Sequence, residues 1–219
     1  MPTPIGKIKL KDTAQARTMQ LRANAEHDGK RFDSDFYVEG YAARYEQYLL
    51  YDDGDRGKVY ERFERGCFDG CDMSDVIMQH DHRGLVYARN TDGTLIVEPD
   101  GSGLFIAADL SGTINSRAYY EDIAAGLITR MIWRFIPGTC CIERAEGSKD
   151  VCIVHKSIRK IYDVSGVSIP VKDEIEINAR AWCDGVIAPA ARSEAELDDK
   201  KRRLRLKIKL MEVTHGQTE

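Results

Sequence analysis

Residues 95–110, LIVEPDGSGLFIAADL, decide the fold class, because two apolar stretches flank a run of turn-forming residues. Proline, aspartate and glycine at 99–103 predict the loop of a β-hairpin, with LIVE before it and LFIAADL after it as the strands. The Gly-Ser-Gly run lies between two strands and not before a helix. It therefore predicts a turn and not a phosphate-binding loop.

Further short β-type segments lie on both sides of this hairpin. They are rich in β-branched and aromatic residues, or alternate apolar with polar residues, as strands do. The predicted strands include FYVEGY at 36–41, KVYERF at 58–63, the apolar run at 76–78, and the segments 130–136, 151–154 and 161–169. The pattern favours an antiparallel sheet architecture over parallel β-α-β units.

One segment breaks the β pattern. In TINSRAYYEDIAAGL, residues 113–127, apolar side chains recur every three to four positions. This spacing predicts a helix that begins after Thr113 or Asn115 and ends near Gly126. Many short strands with one central helix predict a mainly β fold with a few helices, of the α+β class, around an antiparallel, barrel-like core.

Length and composition fit one folded domain. The chain has 219 residues, of which 42% are hydrophobic and 31% charged, enough apolar material for a packed core. We expect a flexible leader at 1–16, a folded domain at 17–182 and a charged tail at 183–219. In the tail, KKRRLRLKIK at 200–209 alternates basic and apolar residues and predicts an edge strand. Docking of this segment onto an acidic partner or nucleic acid is the alternative.

Charge and hydropathy exclude several classes of function. The net charge of −4 argues against nucleic-acid binding by overall charge, and no apolar run is long enough for a membrane span. No secretory signal is recognisable, so we expect a reducing cytoplasm. In that compartment the cysteines are predicted to be free thiols: Cys67, Cys71, Cys140, Cys141, Cys152 and Cys183. Their spacing matches no structural zinc motif, and neither a metal nor a cofactor is predicted.

The best candidate for chemistry is His80, which follows the apolar run at 76–78. A histidine at a strand end can reach a cleft while the sheet fixes its position, as a general base requires. The alternative is a surface histidine hydrogen-bonded to Asp81. His82 lies two positions further on, which in a continuing strand places both rings on one side. A third ligand for a metal is not evident.

The order of six segments resembles the prohead maturation proteases of tailed phages, a family of serine peptidases that is similar to the herpesvirus assemblins. In that family a strand F-x-V-x-G-Y-A comes first and a strand of the type I-Y-D-V-S-x-V-x-x-P comes last. The corresponding segments here, which extend over roughly 17–182, are 36–42, 61–68, 76–81, 103–110, 113–128 and 161–170.

The resemblance implies a serine–histidine mechanism and assigns three positions. The family histidine falls on His80 as general base, and Asp163 is the candidate that orients it. The nucleophile strand of the family reads M-S-F/W-x-F, but this chain has Met-Ile-Trp-Arg-Phe at 131–135. Ile132 therefore stands at the position of the expected serine and carries no hydroxyl group. Cys140 or Cys141 remains an alternative nucleophile.

The family implies an endopeptidase that cleaves the scaffold segment of the major capsid protein inside the procapsid, in the cytoplasm of the bacterial host. Ile132 predicts an impaired site. Two alternatives stay open: a non-catalytic capsid-assembly protein with the protease fold, and an unrelated β-barrel binding domain. A homo-oligomer is conceivable, whereas membrane and nucleic-acid partners are not expected. If the family reading holds, the His80 ring should lie within about 8 Å of the Ile132 side chain.

Overall fold

The structure is a computed structural model that describes residues 3–9, 15–23, 30–52, 54–167, 200–202 and 205. An α-helix, α1, spans Ile114–Ala124, and 3-10 turns span Gly54–Arg56 and Asn90–Asp92. The strands, in chain order, are β1 (Thr3–Lys9), β2 (Gln15–Ala23), β3 (Tyr37–Arg44), β4 (Tyr48–Asp52), β5 (Lys58–Phe63), β6 (Ile77–His80), β7 (Arg83–Arg89), β8 (Leu95–Pro99), β9 (Gly103–Asp109), β10 (Arg130–Pro137), β11 (Thr139–Arg144), β12 (Val151–His155) and β13 (Ile158–Val167).

The strands form two sheets. A five-stranded sheet has the order β1-β11-β12-β5-β4, and an eight-stranded sheet has the order β7-β6-β13-β10-β2-β3-β9-β8. Most neighbours are antiparallel, but β12 runs parallel to β5 and β13 runs parallel to β6. The mainly β, α+β class is therefore confirmed. Within the described residues the sheets are not closed into a barrel, because each strand order has two different end strands.

The predicted helix and the predicted hairpin are both present. The side chain of Thr113 accepts a hydrogen bond from the backbone N–H of Ser116 and caps α1, while Gly126 ends the helical segment with a φ of +76°. The hairpin of β8 and β9 has its loop at 99–103, where Asp100 accepts backbone N–H groups of Ser102 and Gly103. Local patterns thus predicted these two elements correctly.

The core lies between the two sheets and under α1. Trp133 and Phe135 of β10 point towards the five-stranded sheet and contact Phe63 of β5, with ring centroids 5.4 Å and 5.8 Å away. All three side chains are buried. Because side chains alternate along a strand, Ile132 and Arg134 point to the opposite face of β10. This alternation puts position 132 on the outer face of the eight-stranded sheet.

Two terminal segments differ from expectation. The expected leader contains β1, which pairs with β11. Residues 200–202 and 205 are helical, so the edge strand predicted at 200–209 is wrong at those positions. The described residues there are lysines and arginines, which have high intrinsic helix propensities. Cys183 and the remaining tail lie outside the described residues, and the domain limits at 16 and 182 stay predictions.

No helix within the described ranges combines the length and the apolar character needed to cross a bilayer.

Candidate active site

The turn between β6 and β7 begins the site. His80 pairs with Arg83 across the two strands, so Asp81 and His82 form a two-residue hairpin turn. Both have positive φ angles, +50° and +56°, in a turn type that favours Asn-Gly. A non-glycine residue in this conformation costs about 1–3 kcal/mol, and such strain concentrates at functional sites. The backbone N–H of Asp81 donates to the carbonyl of Gly166 at 3.1 Å, which ties the turn to β13.

This turn carries His82 to Asp163 of β13. Nδ1 of His82 makes a short hydrogen bond to Oδ1 of Asp163, and the hydroxyl of Ser165 donates to the same oxygen at 2.9 Å. Asp163 and Ser165 are buried, and the His82 side chain is only 13% exposed. The three residues form one connected polar cluster, in which the carboxylate is the common acceptor.

The cluster fixes the tautomer of His82. A carboxylate only accepts hydrogen bonds, so Nδ1 carries the proton and Nε2 of the neutral ring carries the lone pair. Nε2 is shielded from solvent and has no hydrogen-bond partner within the described part of the chain. A histidine held by a carboxylate through Nδ1, with Nε2 available as a base, is the arrangement found in serine peptidases.

Ile132 lies next to this cluster. It pairs with Ser165 across β10 and β13, and Arg134 pairs with Asp163. Residues directly opposite each other in an antiparallel pair have Cβ atoms about 4.5–5.5 Å apart, on the same face. The Ile132 side chain is 6% exposed and therefore buried. The structure therefore brings Ile132 and Asp163, two of the three predicted site residues, to one face of the sheet.

His80 lies on the opposite face. It pairs with Gly166 on β13, and a Cβ built on Gly166 would come within 2.2 Å of the Tyr119 hydroxyl of α1. The His80 ring packs 5.7 Å from the Tyr119 ring, and its Nε2 lies 3.4 Å from the carboxylate of Asp81. Tyr119 also accepts from the backbone N–H of Gly166 at 2.8 Å. Laterally paired residues of parallel strands share a face, so His80 belongs to the helix side.

The two histidines therefore do not share one side of a strand. That expectation is wrong because β6 ends at His80, and the positive φ angles of Asp81 and His82 redirect the chain. The described residues contain no group of three or more histidine, cysteine, aspartate or glutamate side chains arranged to hold a metal ion. Catalytic roles for His80, Asp163 and position 132 stay predictions, as does the distance predicted between His80 and Ile132.

The hydroxyl of Ser165 is hydrogen-bonded to Asp163 of the His82–Asp163 pair, but its geometry does not suit a nucleophile. Its hydroxyl proton is directed to Asp163 and not to His82, and the side chain is fully buried. Activation of a serine requires that the base, and not the carboxylate behind it, receives the proton.

The cysteines considered as alternative nucleophiles lie on β11, in the five-stranded sheet. Burial raises the pKa of Cys140 to about 12 and also raises the pKa of Cys141. A thiol with a raised pKa is protonated at neutral pH, and the thiolate is the reactive form. The cysteines at 67, 71, 140, 141 and 152 are all free thiols.

A groove of about 490 Å³ adjoins the cluster on the outer face. Asp163 contributes to its wall, and arginines stand beside apolar side chains along it. The lining residues are Asp75, Ile77, Gln79, Arg89, Arg134, Ile136, Tyr162 and Asp163. Such a mixed surface can accept both the backbone and the side chains of an extended peptide.

The sequence analysis assigned no catalytic role to His82, although the Asp-His pair directly after a predicted strand is visible in the sequence. A two-residue turn places its second residue at the very end of a hairpin, and Asp-His at 81–82 follows a strand directly. Aspartate and histidine tolerate positive φ better than most residues. The contact with Asp163, 81 positions away, depends on the parallel pairing of β6 with β13, which no local pattern reveals.

Three comparisons with known proteins gave one match. The chain has no significant match among curated proteins or among solved structures. The family profile of the caudovirus prohead serine protease matches residues 17–184. This range includes β3, the β6–β7 turn, α1, β10 and β13, and so every residue of the site described above. Because the profile covers most of the chain, the protein belongs to the caudovirus prohead serine protease family.

Proposed function

We propose that this chain serves capsid maturation in a tailed phage or prophage as an endopeptidase directed at the scaffold segment of the major capsid protein, with hydrolysis impaired by Ile132. Position 132 is the nucleophile position, Asp163 is the orienting carboxylate, and a histidine of the segment 80–82 is the base. The reaction takes place inside the procapsid, in the cytoplasm of the bacterial host. The observation that carries the proposal is the pairing of Ile132 with Ser165 beside the His82–Asp163 pair.

The β7 strand supports peptide binding beside this site. It is an end strand of the eight-stranded sheet, and it begins directly after the turn that carries His82. Leu85 and Val86 on β7 are 54% and 44% exposed and present apolar surface along this strand. An extended scaffold peptide can add to such a strand by backbone hydrogen bonds.

The experiment is co-expression with the phage capsid protein, followed by gel electrophoresis. The chain as given should show no cleavage, because loss of the nucleophile of such a unit typically lowers the rate by about 10⁶-fold. Ile132→Ser should produce cleavage, because it supplies a hydroxyl beside a held histidine. The substitution removes a buried aliphatic side chain and should cost about 2–4 kcal/mol of unfolding free energy.

Ile136→Ser is the matched control. It makes the same chemical change on the same strand and face, four residues away, where the side chain lines the groove. No cleavage is expected from it. Cleavage by the chain as given, lost in His80→Ala or His82→Ala but retained in other variants of position 132, would place the nucleophile elsewhere and refute the assignment of Ile132.

A second function is favoured by the same isoleucine. A non-catalytic assembly protein would use the groove and β7 to hold capsid or scaffold protein without cutting it. Ile132 favours it because a buried aliphatic side chain occupies the nucleophile position. Co-purification of capsid protein with the chain, without cleavage by the chain or by Ile132→Ser, would move this function ahead.

A further inference from the structure

The family resemblance points to His80 as the base, whereas the geometry of this chain points elsewhere. We propose that His82, and not His80, is the histidine that acts on a nucleophile at position 132, with Asp163 as its positioning residue. The inference rests on the proposed function, because it names the base of that same site. It concerns a residue two positions beyond the family histidine, at the second position of the hairpin turn.

Asp163 and Ser165 connect His82 to position 132. His82 and Ser165 bond to the same oxygen of Asp163, and Ser165 lies directly opposite Ile132. Asp163 and Ser165 lie on the same face as position 132, so an imidazole bonded to Asp163 is held at that face. The His80 ring instead packs on Tyr119 of α1, at the other face of the sheet.

The His82 ring has one basic nitrogen that the contact with Asp163 leaves available. The Asp163 carboxylate holds the proton on Nδ1, so the lone pair of Nε2 is the remaining basic site. Nε2 is desolvated and without a hydrogen-bond partner in the part of the chain that the structure describes. A buried nitrogen without a hydrogen bond is unfavourable, and the proton of a nucleophile or substrate at this position would satisfy it.

The backbone of the turn at 81–82 also favours His82 as the base. Asp-His at 81–82 adopts the conformation that Asn-Gly adopts at lower cost, and the strained pair directs the His82 ring to β13. The His82 ring reaches Asp163 from this strained turn.

The test uses a thiol as a reporter at position 132. In Ile132→Cys, a neutral His82 takes the thiol proton at Nε2. The thiolate then attacks iodoacetamide, a carbon–sulfur bond forms, and iodide leaves. The rate at position 132 is measured from pH 5 to pH 10 by peptide mass spectrometry, which separates it from the other cysteines. The charged groups on the face of this thiol are Arg134 on β10 and Asp163 on β13. Asp81 lies in the turn beside His82, and His80 ends β6 on the other face.

We expect alkylation at pH 7 to be at least about tenfold faster in Ile132→Cys than in Ile132→Cys with His82→Asn, with the apparent thiol pKa lowered accordingly. Adding His80→Asn instead should change the rate by less than about twofold. Asparagine suits both positions because it tolerates positive φ and removes the basic nitrogen. The proposal is overturned if His80→Asn causes the loss and His82→Asn does not, or if neither substitution changes the rate.

A second measurement does not depend on the folding of the cysteine variant. In ¹⁵N-labelled protein, the imidazole signals are compared between the chain as given and Ile132→Val, a mild change of volume. The His82 ring signals should shift more than those of His80. An equal or larger shift at His80 overturns the proposal. Neither readout needs a substrate, so failure to cleave capsid protein together with thiol control by His82 would reject the proposed function alone.

Discussion

Two of the histidine–carboxylate pairs in the described part of the chain, His155–Glu61 and His82–Asp163, share the same chemistry but differ in their surroundings. His155 of β12 and Glu61 of β5 form a hydrogen bond of 2.7 Å, and both side chains are completely buried. His82 and Asp163 form their bond at a strained turn beside a groove. His155 and Glu61 lie on parallel strands, whereas His82 lies in the turn after β6, the strand that runs parallel to β13 of Asp163. The comparison shows that a His–carboxylate pair alone does not indicate an active site.

The surroundings separate the two pairs. The His155 ring stacks on Phe63 with centroids 4.8 Å apart and meets the edge of Phe135 at 5.6 Å. The other oxygen of the Glu61 carboxyl accepts a hydrogen bond from Tyr48. This network is completely buried and packs against aromatic side chains of the core. The His82–Asp163 pair instead borders the outer face, where Nε2 of the ring is left without a hydrogen bond in the described chain.

The largest expected effect follows from this difference in burial. His155→Ala should lower the free energy of unfolding by about 3–5 kcal/mol, because it leaves the Glu61 carboxyl buried without its partner and opens a space beside Phe63. His82→Asn should cost no more than about 1 kcal/mol, since Asp163 keeps the Ser165 hydroxyl and asparagine tolerates the turn conformation. Urea denaturation of the three proteins measures both values. Equal costs would make the His82 pair structural as well.

The sequence predicted much of the fold and only part of this comparison. The helix α1 and the β8–β9 hairpin follow from local patterns: a 3.6-residue period with a threonine cap, and a turn between two apolar runs. The strands β4 and β11 were missed, because β4 ends in a run of aspartates that reads as a loop and β11 carries polar ends. Their strand conformation depends on neighbours in the sheet, which override local preference.

For the site, the family motifs predicted Asp163 and Ile132, which the structure brings to one face. The role of the His82 turn depends on long-range pairing of β6 with β13 and on two positive φ angles, neither of which a hydropathy pattern encodes. Nor could the sequence distinguish His155 from His80 or His82 by burial. The aromatic enclosure of His155 arises from two sheets meeting, through residues separated by up to 92 positions along the chain.

The thiol of Cys140, beside the buried His155–Glu61 pair, predicts a pH dependence of stability. Cys140 lies opposite His155 on β11, and burial, followed by Cys141 and Glu61, raises its pKa to about 12. The unfolded thiol ionises near pH 9, so the folded state holds its proton more tightly. The stability that this thiol contributes is complete below pH 9 and is lost as the pH rises towards 12.

At pH 10 this difference should cost about 1 kcal/mol of unfolding free energy relative to pH 8. Cys140→Ala should reduce the pH 8–10 decrease by about that amount, although it lowers stability at both pH values. Urea denaturation at the two pH values gives the comparison. The same decrease in both proteins would mean that Cys140 ionises alike when folded and unfolded, and that the surroundings of the His155 pair are more accessible than its burial indicates.

The smallest expected effect concerns the strain that distinguishes the two pairs. His155 lies at the end of a regular strand, whereas His82 depends on a turn in which Asp81 holds a φ of +50°. Glycine adopts this conformation without steric cost, so Asp81→Gly should raise the free energy of unfolding by about 0.5 kcal/mol. Asp81→Ala removes the same carboxylate but keeps a Cβ, and it should lower the free energy of unfolding by about 0.5–1 kcal/mol. Thermal or urea unfolding of the two variants measures the difference, and the opposite signs exclude the lost carboxylate as the cause. If both variants shift stability in the same direction, the positive φ angle at 81 stores no strain, and the turn gives no support to a special role for His82.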